Sequence, residues 1–303
     1  MNRNLPIHPD DMALHAKGAL QGVAMGDALG APVEFMTPAE IRTKYGILKE
    51  MTGGGWLRLK PGQVTDDTEM SLCIARALVA AGSWDLKGIA DRFAAWLKIR
   101  PVDVGETCRR GIRNYMLKGE LETPFRQSDA GNGVLMRMVP VALFTLGDDS
   151  LLQRLTVEQA HLTHNHPLSD AACICYGRLL HLAVLGASKL RLRREVDRFV
   201  AEFPTFCFDP YPGLATGYVV DTFQTVCHFF FRGTDFEECV VGAVNQGGDA
   251  DTTGAIVGGL AGAYYGAKNI PPRWTKRLDK RVSVELGELA LKLLHLSPLL
   301  TPA

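Results

Sequence analysis

The segment NQGGDADTTGAIVGGLAGAYYG, residues 245–266, sets Asp249 and Asp251 directly ahead of a run built almost wholly from small residues. One aspartate suffices to cap a helix N-terminus. A second carboxylate close by repels the first unless a cation or a proton neutralises the pair. The stretch QVTDDTEMSLCIARALVAAG repeats the design: Asp66 and Asp67 precede Thr68, and a helix is expected to run on to Gly82. The spans from Thr68 to Gly82 and from Thr252 to Gly266 are equal in length. Two helix starts of one kind suggest a fold in which they face each other across a cleft. The resulting hard, all-oxygen site suits Mg²⁺ or Mn²⁺, in a pair. A purely structural acidic corner is the alternative. The small residues Gly254, Ala255, Gly258, Gly259, Ala261 and Gly262 lower helix propensity, each Gly by roughly 1 kcal/mol relative to Ala. They are expected to admit another helix, or a ligand, close to the backbone.

Two other chemistries that use such aspartates fit poorly. An EF-hand beginning at Asp249 needs a glutamate where this chain has Leu260. The DxDxT pattern of haloacid-dehalogenase-type phosphatases belongs at the end of a strand near the N-terminus, whereas here a capped helix precedes it.

Helical periodicity runs through most of the chain. It predicts helices over residues 67–81, 86–101 and 281–296, and two helices within 156–186 broken near Pro167. In TDFEECVVGAVNQG, Thr234 and Glu237 have capping-box spacing and Gly247 is a stop signal. No βαβ rhythm and no internal repeat stands out. The expectation is one all-α domain over residues 1–303, with residues 1–12 loosely ordered. Its 33 basic and 33 acidic residues balance, which argues against a nucleic-acid partner. The basic run from Lys189 to Arg194, followed by Glu195 and Asp197, reads as a solvated helix face. Seven cysteines without a CxxC pair suit a reducing cytoplasm. The N-terminal MNRNLPIHPDDM lacks the apolar core of a secretory signal. The apolar stretch from Gly254 to Ala267 is shorter than the roughly 20 residues a membrane span needs.

Further candidate chemistry lies in loops. GDALGAPVEF supplies Asp27 and, past Pro32, Glu34; RPVDVG supplies Asp103. DAGNGVLMR reads as a glycine loop leading into a helix and able to offer N–H groups to phosphate. His161, His164 and His166 are close enough in THNHP and the turn before it to suggest zinc only weakly. Ligand contact or a helix end suits them better.

Taken together, GVAMGDALGAPVEF, TDDTEM, DAGNG, THNHP and NQGGDADTTGAIVGGLAGAYYG resemble the ADP-ribosylglycohydrolase family over nearly the whole chain. The resemblance implies an orthogonal all-α bundle around two divalent ions, Mn²⁺ or Mg²⁺, held by Thr65, Asp66, Asp67, Asp249, Asp251 and Thr252. It implies Glu34 as an acid/base or gating group, Asp66 as part of the catalytic set, and Asp103 on the ribose that is cleaved. Gly131, Asn132 and Gly133 would cradle the diphosphate, with His164 nearby, and Tyr218 would stack on adenine. The family pattern has asparagine where this chain has Glu106, so no ribose contact is assigned there. GGGWLRLKPGQVTDDTEMS, RPVDVGETCRRGI and THNHPLSDAA are similar to the branch that removes ADP-ribose from an arginine of dinitrogenase reductase, the nitrogenase iron protein. That branch implies a monomer controlled by a PII-type signalling protein and an ammonium channel at the membrane. The rival readings are a non-catalytic ADP-ribose-binding regulatory protein and a glycohydrolase acting on another ADP-ribosylated target.

Overall fold

Helical periodicity becomes fourteen α-helices, and no strand, in a computed structural model that describes residues 7–301. The first five are α1 (Pro9–Gly30), α2 (Pro38–Tyr45), α3 (Asp66–Ala81), α4 (Leu86–Lys98) and α5 (Glu106–Lys118). The middle of the chain forms α6 (Val139–Phe144), α7 (Asp149–His161), α8 (Pro167–Val184) and α9 (Lys189–Glu202). The last are α10 (Val219–Arg232), α11 (Phe236–Val244), α12 (Ala250–Tyr265), α13 (Pro272–Arg277) and α14 (Lys280–Leu296).

Ordinary caps start many of these helices. Asp85, Asp148 and Asp279 each accept a hydrogen bond from a first-turn amide of α4, α7 and α14. The cap of α11 is Asp235 rather than Thr234. Glu238, not Glu237, reaches back to the Thr234 amide and hydroxyl, because the helix starts one residue later than the spacing predicts. Residues 1–6 lie outside the described residues. Residues 9–12, expected to be loose, form the first turn of α1, where Pro9 fits a position that needs no amide donor. The stretch after the 131–133 loop turns tightly and becomes regular helix only at Val139.

α1 and α12 lie against each other with almost no side chain between them. Gly18, Gly22, Gly26 and Gly30 recur every fourth residue along one face of α1 and meet Gly262, Gly258, Gly254 and Ala250 in reverse order. A Cβ built on Gly26 would sit 1.8 Å from the Gly254 carbonyl oxygen, and one on Gly22 would sit 2.1 Å from that of Gly258. Only hydrogen fits at these crossings. The antiparallel pair thereby holds the end of α1 against the start of α12. Around it the buried hydrophobic side chains form one connected core, from Met12 to Leu294.

Candidate active site

The loops at the end of α1 and at the starts of α3, α5 and α12 converge on a cavity of about 730 Å³. Its acidic side carries Glu34, Asp66, Asp103, Asp249 and Asp251, and Gly131, Asn132, Gly133 and His164 line it as well. Carboxylate oxygens of Glu34, Asp103 and Asp251 come within 4.8 Å of one another.

The two aspartate-bearing helix starts do not use those aspartates as caps. Neither Thr65 at the head of α3 nor Asp249 at the head of α12 makes a side-chain capping bond. Asp249 Oδ2 instead accepts from Asn132 Nδ2 at 2.6 Å, which ties the acidic wall to the glycine loop. Asp66 Oδ2 accepts from the Gly105 amide at 3.1 Å and so anchors the segment that carries Asp103. The two half-sites meet at Asp67, whose Oδ2 accepts from the Thr252 hydroxyl (3.4 Å) and lies 3.2 Å from Thr65 Oγ1. Thr65 and Asp67 lie behind the cavity wall, fully buried.

Asp27 holds the first half-site in place. It projects from the last turns of α1, is fully buried, and accepts from the amides and hydroxyls of both Thr65 and Thr68, with Thr68 Oγ1 at 2.5 Å. The sequence shows Asp27 as a carboxylate near Glu34 but gives no sign of this role, which depends on the α1–α3 packing.

Among the described residues, none of Asp27, Glu34, Asp66, Asp67, Asp103, Asp249 or Asp251 forms an ion pair with Lys, Arg or His. Burial pushes the Glu34 carboxyl up to about 8, with further upward pressure from Asp103, Asp249 and Asp66. Burial and the charge of Asp103 raise Asp66 to about 7. Burial and neighbouring carboxylates hold Asp67 and Asp251 well above the usual range. Asp67 Oδ1 is buried without any hydrogen-bond partner. An orphaned oxygen in a crowd of carboxylates fits a hard divalent cation, which would satisfy the lone pair and neutralise the charge.

The glycine loop is held in place by its own hydrogen bonds. The Asn132 amide donates to Gly217 O, and Asn132 Nδ2 also reaches Thr222 Oγ1, so the loop is stitched to the start of α10. His164 lies beneath it, close enough that a Cβ on Gly131 would sit 3.0 Å from Nε2. Arg137, fully buried, donates to Thr163 Oγ1 at 2.7 Å, and Thr163 Oγ1 lies 2.8 Å from His164 Nδ1. Burial and the charges of Arg137 and Arg110 hold the His164 pKa well below normal, which keeps the imidazole neutral.

The remaining expectations separate cleanly. Tyr218 pairs with Gly131 through backbone and is partly exposed; its neighbours Thr216 and Gly217, not its ring, line the cavity. The three histidines do not converge on a zinc site: His161 contacts Asp170 and Glu122, while His166 caps α8. Glu106 lines the cavity rim, where it pairs with Arg109 at 3.6 Å. Phe35 and Trp56, which no local sequence pattern singles out, also line the cavity; Trp56 Nε1 donates to Glu34 Oε2 at 2.6 Å.

A family profile described as ADP-ribosylglycohydrolase matches residues 9–301. The chain is 53% identical over 284 residues to the ADP-ribosyl-[dinitrogen reductase] glycohydrolase of Rhodospirillum rubrum, covering 94% of this chain and 97% of that one. It is 32% identical to the ADP-ribosylarginine hydrolase Tri1 of Serratia proteamaculans, over 93% of this chain and 80% of the relative. Among solved structures, an ADP-ribosylglycohydrolase-related protein complex superposes with a TM-score of 0.83 at 34% identity, covering 95% of this chain and 99% of the other.

Proposed function

The chain belongs to the ADP-ribosylglycohydrolase family, and on that premise we propose that it cleaves the N-glycosidic bond between ADP-ribose and an arginine side chain of a protein. Its protein substrate is ADP-ribosylated dinitrogenase reductase, a reading supported by the relative that bears that activity in its name and shares 53% identity. The observation that carries the chemistry is the meeting of Glu34, Asp103 and Asp251 in one cavity with the 131–133 glycine loop.

In this reading the glycine loop receives the diphosphate with His164 beside it, Tyr218 flanks the adenine, and Asp103 orients the ribose whose C1 is attacked. Cleavage passes through an oxocarbenium-like state, as in other glycoside hydrolysis. The oxygen of water bonds to C1. The C1–N bond breaks, and its electron pair stays on the guanidine nitrogen. Water loses one proton and the departing nitrogen gains one. Glu34 mediates that transfer through Oε1, since Trp56 engages Oε2. Thr65, Asp66, Asp67, Asp249, Asp251 and Thr252 would hold two divalent ions, Mn²⁺ or Mg²⁺, which supply charge neutralisation and Lewis acidity when bound.

The protein is further proposed to act as a single-domain monomer in the cytoplasm. A PII-type signalling protein and an ammonium channel would recruit it reversibly to the membrane; no described helix is long and apolar enough to cross one. The enzymatic reading is tested by incubating the protein with ADP-ribosylated dinitrogenase reductase and measuring free ADP-ribose with Mn²⁺, with Mg²⁺ and with EDTA. Release that depends on metal is expected. Tight ADP-ribose binding with no release under any condition would instead identify a binding protein.

A further inference from the structure

Two aromatic rings stand at the mouth of the cavity where burial would otherwise be expected to claim them. Phe35 is 68% exposed and Trp56 55% exposed, and both line the site. Their ring centroids are 5.7 Å apart and tilted by 43°. Neither ring is there through slackness of the chain. Phe35 has φ +63°, a left-handed conformation that a bulky side chain seldom adopts. It is held by its own amide on Gly248 O (2.6 Å) and by the Gly248 amide on Met36 O (2.9 Å). Trp56 follows the turn Gly53-Gly54-Gly55, where Gly54 and Leu59 pair through backbone and Gly55 packs on Ala31 and Pro32. Its indole N–H is spent on Glu34, which leaves the ring faces for something else.

What meets those faces follows from the order of groups in the substrate. Glu34 marks the end of the cavity where the glycosidic bond is cut, and the glycine loop receives the diphosphate farther along. Adenine lies beyond the diphosphate, so a ring pair in contact with Glu34 flanks the leaving group instead. Two exposed aromatic faces beside Glu34 favour a flat cation with delocalised charge, which stacks on rings and is weakly hydrated. We propose that Phe35 and Trp56 form the seat for the arginine guanidinium of the modified protein and set the preference for arginine over uncharged ADP-ribose acceptors. This inference rests on the arginine reading above.

The test compares ADP-ribosyl-agmatine, which carries the guanidinium, with free ADP-ribose, which does not. Phe35→Leu keeps apolar bulk and removes the π face; Phe35→Tyr restores it. In Phe35→Leu, KM for ADP-ribosyl-agmatine should rise about 3- to 10-fold with kcat within about twofold, because the cation is present in both ground and transition states. The Kd for ADP-ribose should stay within about twofold of wild type, which also certifies that the variant is folded. Phe35→Tyr should recover the wild-type KM. An unchanged KM in Phe35→Leu overturns the seat, and so does a loss of ADP-ribose affinity that parallels the rise in KM, since the ring would then serve the nucleotide. Wild-type protein that leaves ADP-ribosyl-agmatine intact overturns the arginine reading itself, and the seat with it.

Discussion

At the scale of single residues, the site is a set of carboxylates that cannot all be charged without help. Asp251 shows this most clearly: it is buried, it shares its surroundings with Glu34 and Asp103, and its Oδ1 accepts only the amide of the next residue, Thr252. Asp251→Ala should lower turnover by more than about 100-fold, the upper end of what loss of an outer-shell metal partner costs. Its circular dichroism spectrum should match wild type; near-normal turnover would remove Asp251 from the metal set. Beside the glycine loop the Arg137–Thr163–His164 chain makes a subtler prediction. Thr163→Val keeps the side-chain shape but removes the hydroxyl that partners Nδ1, so the imidazole is no longer held in one orientation against the loop. ADP-ribose affinity should fall about 3- to 10-fold, the value of one good hydrogen bond. Isothermal titration would measure the loss, and ¹⁵N chemical shifts of His164 would report the tautomer. The aspartates could be read from the sequence because each pair is local. Asp27, Phe35, Trp56 and Thr163 could not, because their roles arise from contacts with residues far along the chain.

At the scale of elements, the α1–α12 pair explains the small residues that stood out behind Asp251. The sequence allowed either a helix or a ligand to use that close approach, and the occupant is α1. The matching signal was present as Gly18, Gly22, Gly26 and Gly30, spaced every four residues, but a glycine row in one helix identifies no partner by itself. Gly26→Ala would raise helix propensity yet drive a methyl group into Gly254 O. It should destabilise the protein by about 1–3 kcal/mol or more and weaken divalent-cation binding, since α12 carries Asp249 and Asp251. Gly287→Ala in α14 is the control. The nearest atom to a Cβ there is Gln21 Nε2 at 3.5 Å, an ordinary contact, so the change should be neutral or stabilise by up to about 1 kcal/mol. Chemical denaturation of the two variants decides whether backbone contact or propensity dominates. The shift of the α11 cap from Thr234 to Asp235 teaches the same lesson on a smaller scale. Thr and Asp are both competent caps, and the choice depends on where packing starts the helix.

For the whole molecule, pH, metal and stability are linked. The folded-state carboxyls of Glu34 (about 8), Asp66 (about 7) and Asp27 (about 6) lie above their ordinary values because of burial. Below about pH 4 both folded and unfolded chains hold these protons, and this term is fully favourable to the fold. As pH rises through 4 to 8 the unfolded chain releases them first, so the metal-free protein should lose stability across that window. A divalent cation replaces the protons. The rise in Tm on adding Mn²⁺ should therefore be larger at pH 8 than at pH 5, as differential scanning calorimetry with and without EDTA would show. An equal rise at both values would mean that the cation does not take the place of those protons.

By itself the sequence determined the all-α architecture and the two aspartate-bearing helix starts, because helical periodicity, caps and paired carboxylates are encoded within a turn or two of chain. The family resemblance supplied the glycine loop and His164 as partners of those aspartates. Tertiary structure alone decided that Asp249 binds Asn132 instead of capping α12, that Asp67 joins the two threonines, and that Asp27 supports the α3 loop. It alone brought Trp56 to Glu34. The physical reason is distance along the chain: α1 must lie backbone to backbone on α12 before carboxylates from either end of the sequence can share one buried site, and no local pattern specifies that meeting.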